Sequence, residues 1–188
     1  MSISDVELLE MPPPDMPAAL YSKAVDAITS GEPYMAQAEL DGYGRVLYLT
    51  KDVWPNFISC VLAVHEDAIK NDRAKVQALV DGIAKSGKWL DTSMDNRLAA
   101  GGFVATNYYG QKPNLLQFVL SKPPDRVKYT GLNVRRADFE EIELLGRESG
   151  ILKGTARFED YADPSFVTDD NLVKPWDWKA NKDENSGK

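Results

Sequence analysis

The way apolar residues are spaced changes partway along this chain, and that change limits its fold more than any other feature. Short apolar runs bounded by proline and glycine, the pattern of strands, lie in the first 65 residues, and three- and four-residue spacing takes over afterwards. Val6–Met11, Val25–Thr29, Arg45–Thr50 and Ile58–Val64 are the expected strands. Pro12-Pro-Pro-Asp15 breaks regular structure after the first, with Asp15 placed to cap a short helix over Ala18–Lys23 and Pro17 in its first turn. Two strands joined by that helix would make a parallel βαβ unit, ended by Gly31-Glu-Pro33. Tyr34–Leu40 reads as a further helix, stopped at Asp41-Gly-Tyr-Gly44.

Downstream, Val76, Leu79, Val80, Ile83, Ala84 and Leu90 form the stripe of an amphipathic helix. Arg97–Tyr109 and Asn114–Leu120 are further helical segments, and Phe139, Ile142 and Leu145 mark another that Gly150 closes. Apolar stripes need a surface to cover, and few strands accompany these helices. They are expected either to cluster together or to pack on strands outside this chain. From Asp169 onward the sequence is polar and reads as a tail.

Composition narrows the function. The 188 residues carry 22 Lys+Arg against 29 Asp+Glu, a formal charge of −7, with no basic cluster of the kind nucleic acid requires. One cysteine, Cys60, forbids an intramolecular disulfide, and a single histidine, His65, argues against a histidine metal centre or a Ser-His-Asp triad. No metal or cofactor is implied. No apolar run approaches the ~18 residues of a transmembrane helix, and Met1–Glu7 has no signal-peptide pattern, so the chain as given reads as cytoplasmic.

Several segments then carry a resemblance. Val6-Glu-Leu-Leu-Glu-Met-Pro-Pro-Pro-Asp-Met-Pro-Ala-Ala-Leu20, Val25-Asp-Ala27, Gly31-Glu-Pro-Tyr34, Trp54-Pro-Asn-Phe-Ile-Ser-Cys60 and Val76-Gln-Ala-Leu-Val-Asp-Gly82 come first. Asp125-Arg-Val-Lys-Tyr129, Asp138-Phe-Glu-Glu-Ile142, Gly150-Ile-Leu152 and Phe158-Glu-Asp-Tyr161, with Asp163 and Phe166, follow in the same order. Together they resemble the solute-binding proteins of ABC importers for nitrate, sulfonate and bicarbonate, a family that includes relatives of the thiamine-pyrimidine precursor protein. The resemblance implies an α/β fold, the C-terminal part of a two-lobed type II periplasmic-binding-protein clamshell. Residues 1–50 would be the remainder of the second lobe, 51–168 the hinge recrossing and the helices of the first lobe, and 169–188 the polar tail. The first lobe's main strands and an export signal are then expected to be missing from this chain, which would be a truncated form.

Ligands of open α/β sheets sit beyond the carboxyl ends of strands, which points to Pro12–Asp15 and Gly31–Tyr34. Asp15 reads either as a helix cap or as a site residue. Glu32, before Pro33, is either a cleft carboxylate or an exposed turn residue, and Tyr34 and Trp54 could stack on a planar ligand, though Trp54 also suits ordinary packing. Asn56, Ser59 and Cys60 lie at the expected recrossing. Cys60 itself suits a buried, inert thiol better than a reactive one, and His65 a surface position. Nitrate and bicarbonate members tend to place a lysine near the position of Cys60, and no lysine lies between Lys51 and Lys70. An inorganic anion in a dry cleft would need compensating charge, so a neutral heterocycle or an organic solute with a cationic part is preferred.

The expected function is therefore the substrate-binding component of an ABC importer for a small organic solute of the nitrate, sulfonate, taurine or pyrimidine class. It would perform no catalysis and act with a permease, in the periplasm or outside the cell. Two alternatives stand beside it. One is a non-binding remnant or helical interaction protein that self-associates through exposed apolar helix faces. The other is a pyrimidine-synthesising relative, disfavoured because those enzymes lean on iron and on clustered Cys and His.

Overall fold

The computed structural model describes residues 3–54 and 57–167, and the regular elements there are helical. They are α1 Met16–Tyr21, α2 Tyr34–Leu40, α3 Thr50–Val53, α4 Glu66–Asn71, α5 Arg73–Thr92, α6 Met94–Val104, α7 Pro113–Ser121, α8 Arg136–Glu148 and α9 Phe158–Tyr161. Single 3-10 turns lie at Ile3–Asp5, Pro13–Asp15 and Pro164–Phe166, and α6 runs directly into a π-helical turn at Ala105–Tyr109. The described residues form two compact units. One draws on residues 3–49 and 101–126, the other on residues 50–54, 57–100 and 127–167.

In the first unit, proline and small side chains decide where helices start and how closely they approach. Pro17 and Pro113 occupy first-turn positions of α1 and α7, where a missing N–H costs nothing. Helix α2 packs on both α1 and α7, and its contact face is Ala36 and Ala38, each buried. The chain then doubles back so tightly that a Cβ on Gly44 would lie 2.9 Å from that of Ala38. Gly101 does the same for α6, where an added Cβ would lie 3.1 Å from the Gln117 backbone nitrogen of α7. Leu115, Val119 and Leu120 of α7, with Ala105, complete the apolar interior of this unit.

The second unit is organised by α5. Asp72 caps it, its carboxylate accepting the Lys75 N–H at 3.0 Å. Near the far end, Ser93 caps α6 through the Asn96 N–H at 3.1 Å, and Asn96 Nδ2 donates back to the Trp89 carbonyl at 2.8 Å. Asp91 accepts the Tyr129 N–H at 3.0 Å and pairs with Arg97, which also donates to the Val127 carbonyl at 2.9 Å. This clasp lays residues 127–129 across α5. The chain passes so close that a Cβ on Gly87 would sit 2.1 Å from the Tyr129 carbonyl oxygen. At the other end Arg73 donates to Ser165 Oγ at 2.6 Å and lies 3.9 Å over the Phe166 ring, while Gln77 donates to the Phe166 carbonyl at 2.8 Å. Helices α8 and α9 share a cluster of Phe139, Phe158 and Tyr161, with ring centroids 5.5 to 6.1 Å apart.

The helical expectations hold in kind. Tyr34–Leu40 is helical over those residues, the Val76–Leu90 stripe lies within α5, and Gly150 takes φ 74° after α8, the left-handed conformation glycine adopts without strain. The strand expectations are corrected. Val6–Met11, Val25–Thr29, Arg45–Leu49 and Ile58–Val64 form no strand, Thr50 opens α3, and the βαβ unit is not made. The α/β class is therefore not seen among the described residues. A strand is completed by a neighbour's backbone groups, and these segments pair with none there. Their apolar side chains stay in solvent, with Leu8 77% and Leu47 82% exposed. Asp15 is also not a side-chain cap. The Pro13–Asp15 turn runs straight into α1, so its backbone is already helical and its carboxylate makes no cap hydrogen bond.

Gly87→Ala should lower the unfolding free energy by about 2 kcal/mol, because backbone must move to admit one methyl group. Gly82→Ala on the same helix, where nothing lies within 4 Å of the added Cβ, should be neutral or stabilising. Urea denaturation of the two variants checks the contrast. A second expectation concerns acid. Hydrogen bonds hold four carboxylates below the usual range: Glu66 by Lys70, Asp72 by Lys75, Asp160 by Arg157 and Asp163 by Ser165. Their folded pKa values lie below their unfolded ones, so their contribution is full above about pH 4 and is lost as pH falls through the lowered values. Asp72→Ala should flatten the fall in stability between about pH 4 and pH 2, read from the helical circular dichroism signal at graded urea.

Candidate functional site

Glu32 is the predicted site residue with the most built-up surroundings. It precedes Pro33 through a cis peptide bond, and Tyr34 begins α2. One carboxylate oxygen accepts the Ala36 N–H at 2.9 Å, satisfying a donor at the start of α2. The other accepts from Arg126 Nη1 at 2.7 Å. Arg126 spreads its remaining donors over Glu39 and, at 2.7 Å, the Lys122 carbonyl, and its guanidinium lies 5.3 Å from the Phe118 ring centre. The side chain is 2% exposed. Burial works to lower its pKa, but hydrogen bonds and charge from Glu39 and Glu32 outweigh that and raise it, so it stays a cation. Asp15 is exposed at the end of the proline turn, and Pro33 and Tyr34 are half-buried.

Trp54, Ser59 and Cys60 lie in the second unit. Trp54 follows α3, its ring 5.0 Å from that of Phe57. Its indole Nε1 is buried, and it is a donor without an acceptor among the described residues. Such donors are rare and call for a partner. Ser59 and Cys60 are exposed neighbours, with Oγ and Sγ 3.9 Å apart. The expectation of a buried Cys60 is thus corrected: its segment makes no sheet, so nothing covers the thiol. Asn56 lies outside the described residues. His65 is on the surface, where its Nδ1 accepts the Asp67 N–H at 3.2 Å and caps α4. Among the described residues no group of three His, Cys, Asp or Glu is placed to hold a metal ion.

The first unit also carries an open groove of about 410 Å³. Its walls include Pro14, Pro17 and Tyr21 from the proline turn and α1, Gln37 from α2, and Asp41 and Tyr43 beyond it. The Tyr21 and Tyr43 rings meet edge to face at 5.2 Å. Burial and the nearby Asp41 carboxylate push the Tyr43 phenol pKa up.

Sequence reasoning gave Arg126 no role, although it lies in a segment that carried the resemblance. Its partners are 94 and 87 residues away along the chain, and no periodicity or short motif signals so distant a pairing. The Asp91–Arg97 clasp escaped notice for a different reason. Both residues look like ordinary surface charges on a helical pattern, and only the chain laid over them gives them a task.

Arg126→Met should cost roughly 3 kcal/mol, since it removes the cation between two half-buried carboxylates and leaves Glu32 and Glu39 facing each other. Glu39→Gln keeps the shape and should cost about 1 kcal/mol. Equal losses in urea denaturation would mean that the guanidinium is not the centre of the arrangement.

A family model described as the NMT1-like family matches residues 2–104. The chain is 23% identical over 116 residues to the bicarbonate-binding protein CmpA of Synechococcus elongatus, covering 62% of this chain and 26% of that protein. It is 29% identical over 87 residues to the nitrate/nitrite binding protein NrtA of a Nostoc species, covering 46% of this chain and 20% of NrtA. It is also 28% identical over 87 residues to the nitrate import ATP-binding protein NrtC of a Synechocystis species, covering 46% of this chain and 13% of NrtC. The chain thus spans about a quarter or less of the length of these curated relatives. No solved structure matches it. With more than half of its length covered by the family model, this chain belongs to the NMT1-like family.

Proposed function

We propose that this chain is a solute-recognising part of an ABC importer, a portion of a two-lobed clamshell, and that its solute is a small organic molecule. The family match over residues 2–104 is the observation that carries the binding role. Relatives named for binding bicarbonate and nitrate, and one named as an import ATP-binding protein, support partnership with a permease and an ATPase and a place outside the cytoplasm. No described helix is long and apolar enough to cross a membrane. The role requires no bond-making chemistry.

The preference for an organic solute rests on charge. Asp15 and Glu32 are the charged members of the candidate set, and both are acidic. The guanidinium beside Glu32 is engaged by two carboxylates, so an oxyanion there would meet negative charge without a cation reserved for it. Glu32, Pro33, Tyr34 and Asp15, with Trp54, Asn56, Ser59 and Cys60, remain the proposed ligand contacts, and the unsatisfied Trp54 Nε1 is the donor offered to a solute acceptor. The printed names of CmpA and NrtA favour a second reading, in which the solute is an inorganic oxyanion. A third, in which the chain binds no solute and associates through its exposed apolar faces, draws on residues such as Leu144 and Ile151.

Calorimetric titration of the full chain with pyrimidines, taurine, simple amines, nitrate and bicarbonate separates these readings. An organic solute should evolve saturable heat, and Trp54→Phe, which keeps the ring and drops the donor, should weaken it about tenfold. Heat from nitrate or bicarbonate alone would replace the organic reading with the second. Silence throughout, from a chain with its full helical signal, would favour the third.

A further inference from the structure

The groove beside α1 and α2 has a chemistry of its own. Of the residues that line it, Asp41 is the one that bears a formal charge, and the walls are otherwise proline rings, tyrosine rings, the Ala18 methyl and the Gln37 amide. Asp41 stands just past the carboxyl end of α2, where its charge adds to the negative end of the helix dipole. An acid is unfavourable there by itself, and a cation would relieve both. The Tyr21 and Tyr43 rings, crossed edge to face, add aromatic surface that attracts positive charge. Gln37 reaches Asp41 only through a long contact of 3.4 Å, a weak competitor for the carboxylate. A hard divalent ion is a poor fit, since it asks for six or more oxygen ligands and this groove offers one carboxylate among apolar rings. The volume, about 410 Å³, is in the range of small-molecule sites.

We propose that this groove binds a small organic cation of the alkylammonium type, with its charge toward Asp41 and its methyl groups against Tyr21 and Tyr43. None of these three residues belongs to the proposed importer contacts, so the proposal does not depend on that reading.

The test is a titration of the full chain with tetramethylammonium chloride at constant ionic strength, followed by the tyrosine ring resonances in NMR. The neutral neopentyl alcohol, close in shape, serves as the comparison probe. Saturable shifts at Tyr21 and Tyr43 are expected with the cation, and weaker ones with the alcohol. Asp41→Asn should reduce cation affinity about fivefold. Tyr21→Leu, at a position 71% exposed, should also weaken it while leaving the helices intact. Absent or non-saturable shifts would overturn the proposal, as would equal binding of the alcohol. So would unchanged affinity in Asp41→Asn, and if that variant loses its helical signal, unchanged affinity in Tyr21→Leu decides against it. Simple amines, cations themselves, are assigned by variant: heat lost in Trp54→Phe belongs to the importer contacts, and heat lost in Asp41→Asn belongs to this groove.

Discussion

A single buried cation holds the first unit together. Arg126 reaches the start of α2 through Glu32, the body of α2 through Glu39 and the end of α7 through the Lys122 carbonyl, and it lies near the Phe118 ring. Two carboxylates that would repel each other become a reason for α2 to stay where it is. The arrangement stands against desolvation only because the guanidinium's donors are so widely engaged, in a geometry that lysine's point charge could not reproduce. It also places Glu32, which has the residue type of a ligand carboxylate, in a role that the fold itself requires.

This reliance on polar clasps follows from how little apolar volume is enclosed. The buried apolar residues are mostly alanine, valine and leucine, with Phe158 and Phe166, and no large side chain among the described residues is fully shut away from solvent. Caps and ion pairs therefore carry more of the organisation than in a chain with a thick core. Asp72, Asp91 and Asp163 each fix a helix end or tie a distant segment to α5. Meanwhile large apolar side chains at Leu8, Leu47, Val61 and Ile151 stay exposed.

Much of the helical layout was legible because its signals are local. The Val76–Leu90 stripe and Gly150 beyond α8 each act over one or two turns, and each element lies where they indicate. The strand signals are equally local, but a strand is not a local object, and Val6–Met11 and Ile58–Val64 have the composition without the partner. The candidate site was legible only as residue types. Glu32 and Trp54 stood out by chemistry and position, yet Arg126, which determines what Glu32 touches, gave no sign of its role.

The sequence by itself determined where the longer helices form, the acidic balance and the segments that mark the family, because propensity, charge and motif are properties of neighbours along a chain. Only the tertiary structure decided that Arg126 meets Glu32 and Glu39, that Tyr129 crosses Gly87, and that Tyr21 faces Tyr43 beside Asp41. The first two join groups dozens of residues apart, and the third depends on how two helices pack. Such encounters are fixed by volume exclusion and by the cost of leaving a buried charge unpaired, and both arise only once the chain has closed on itself.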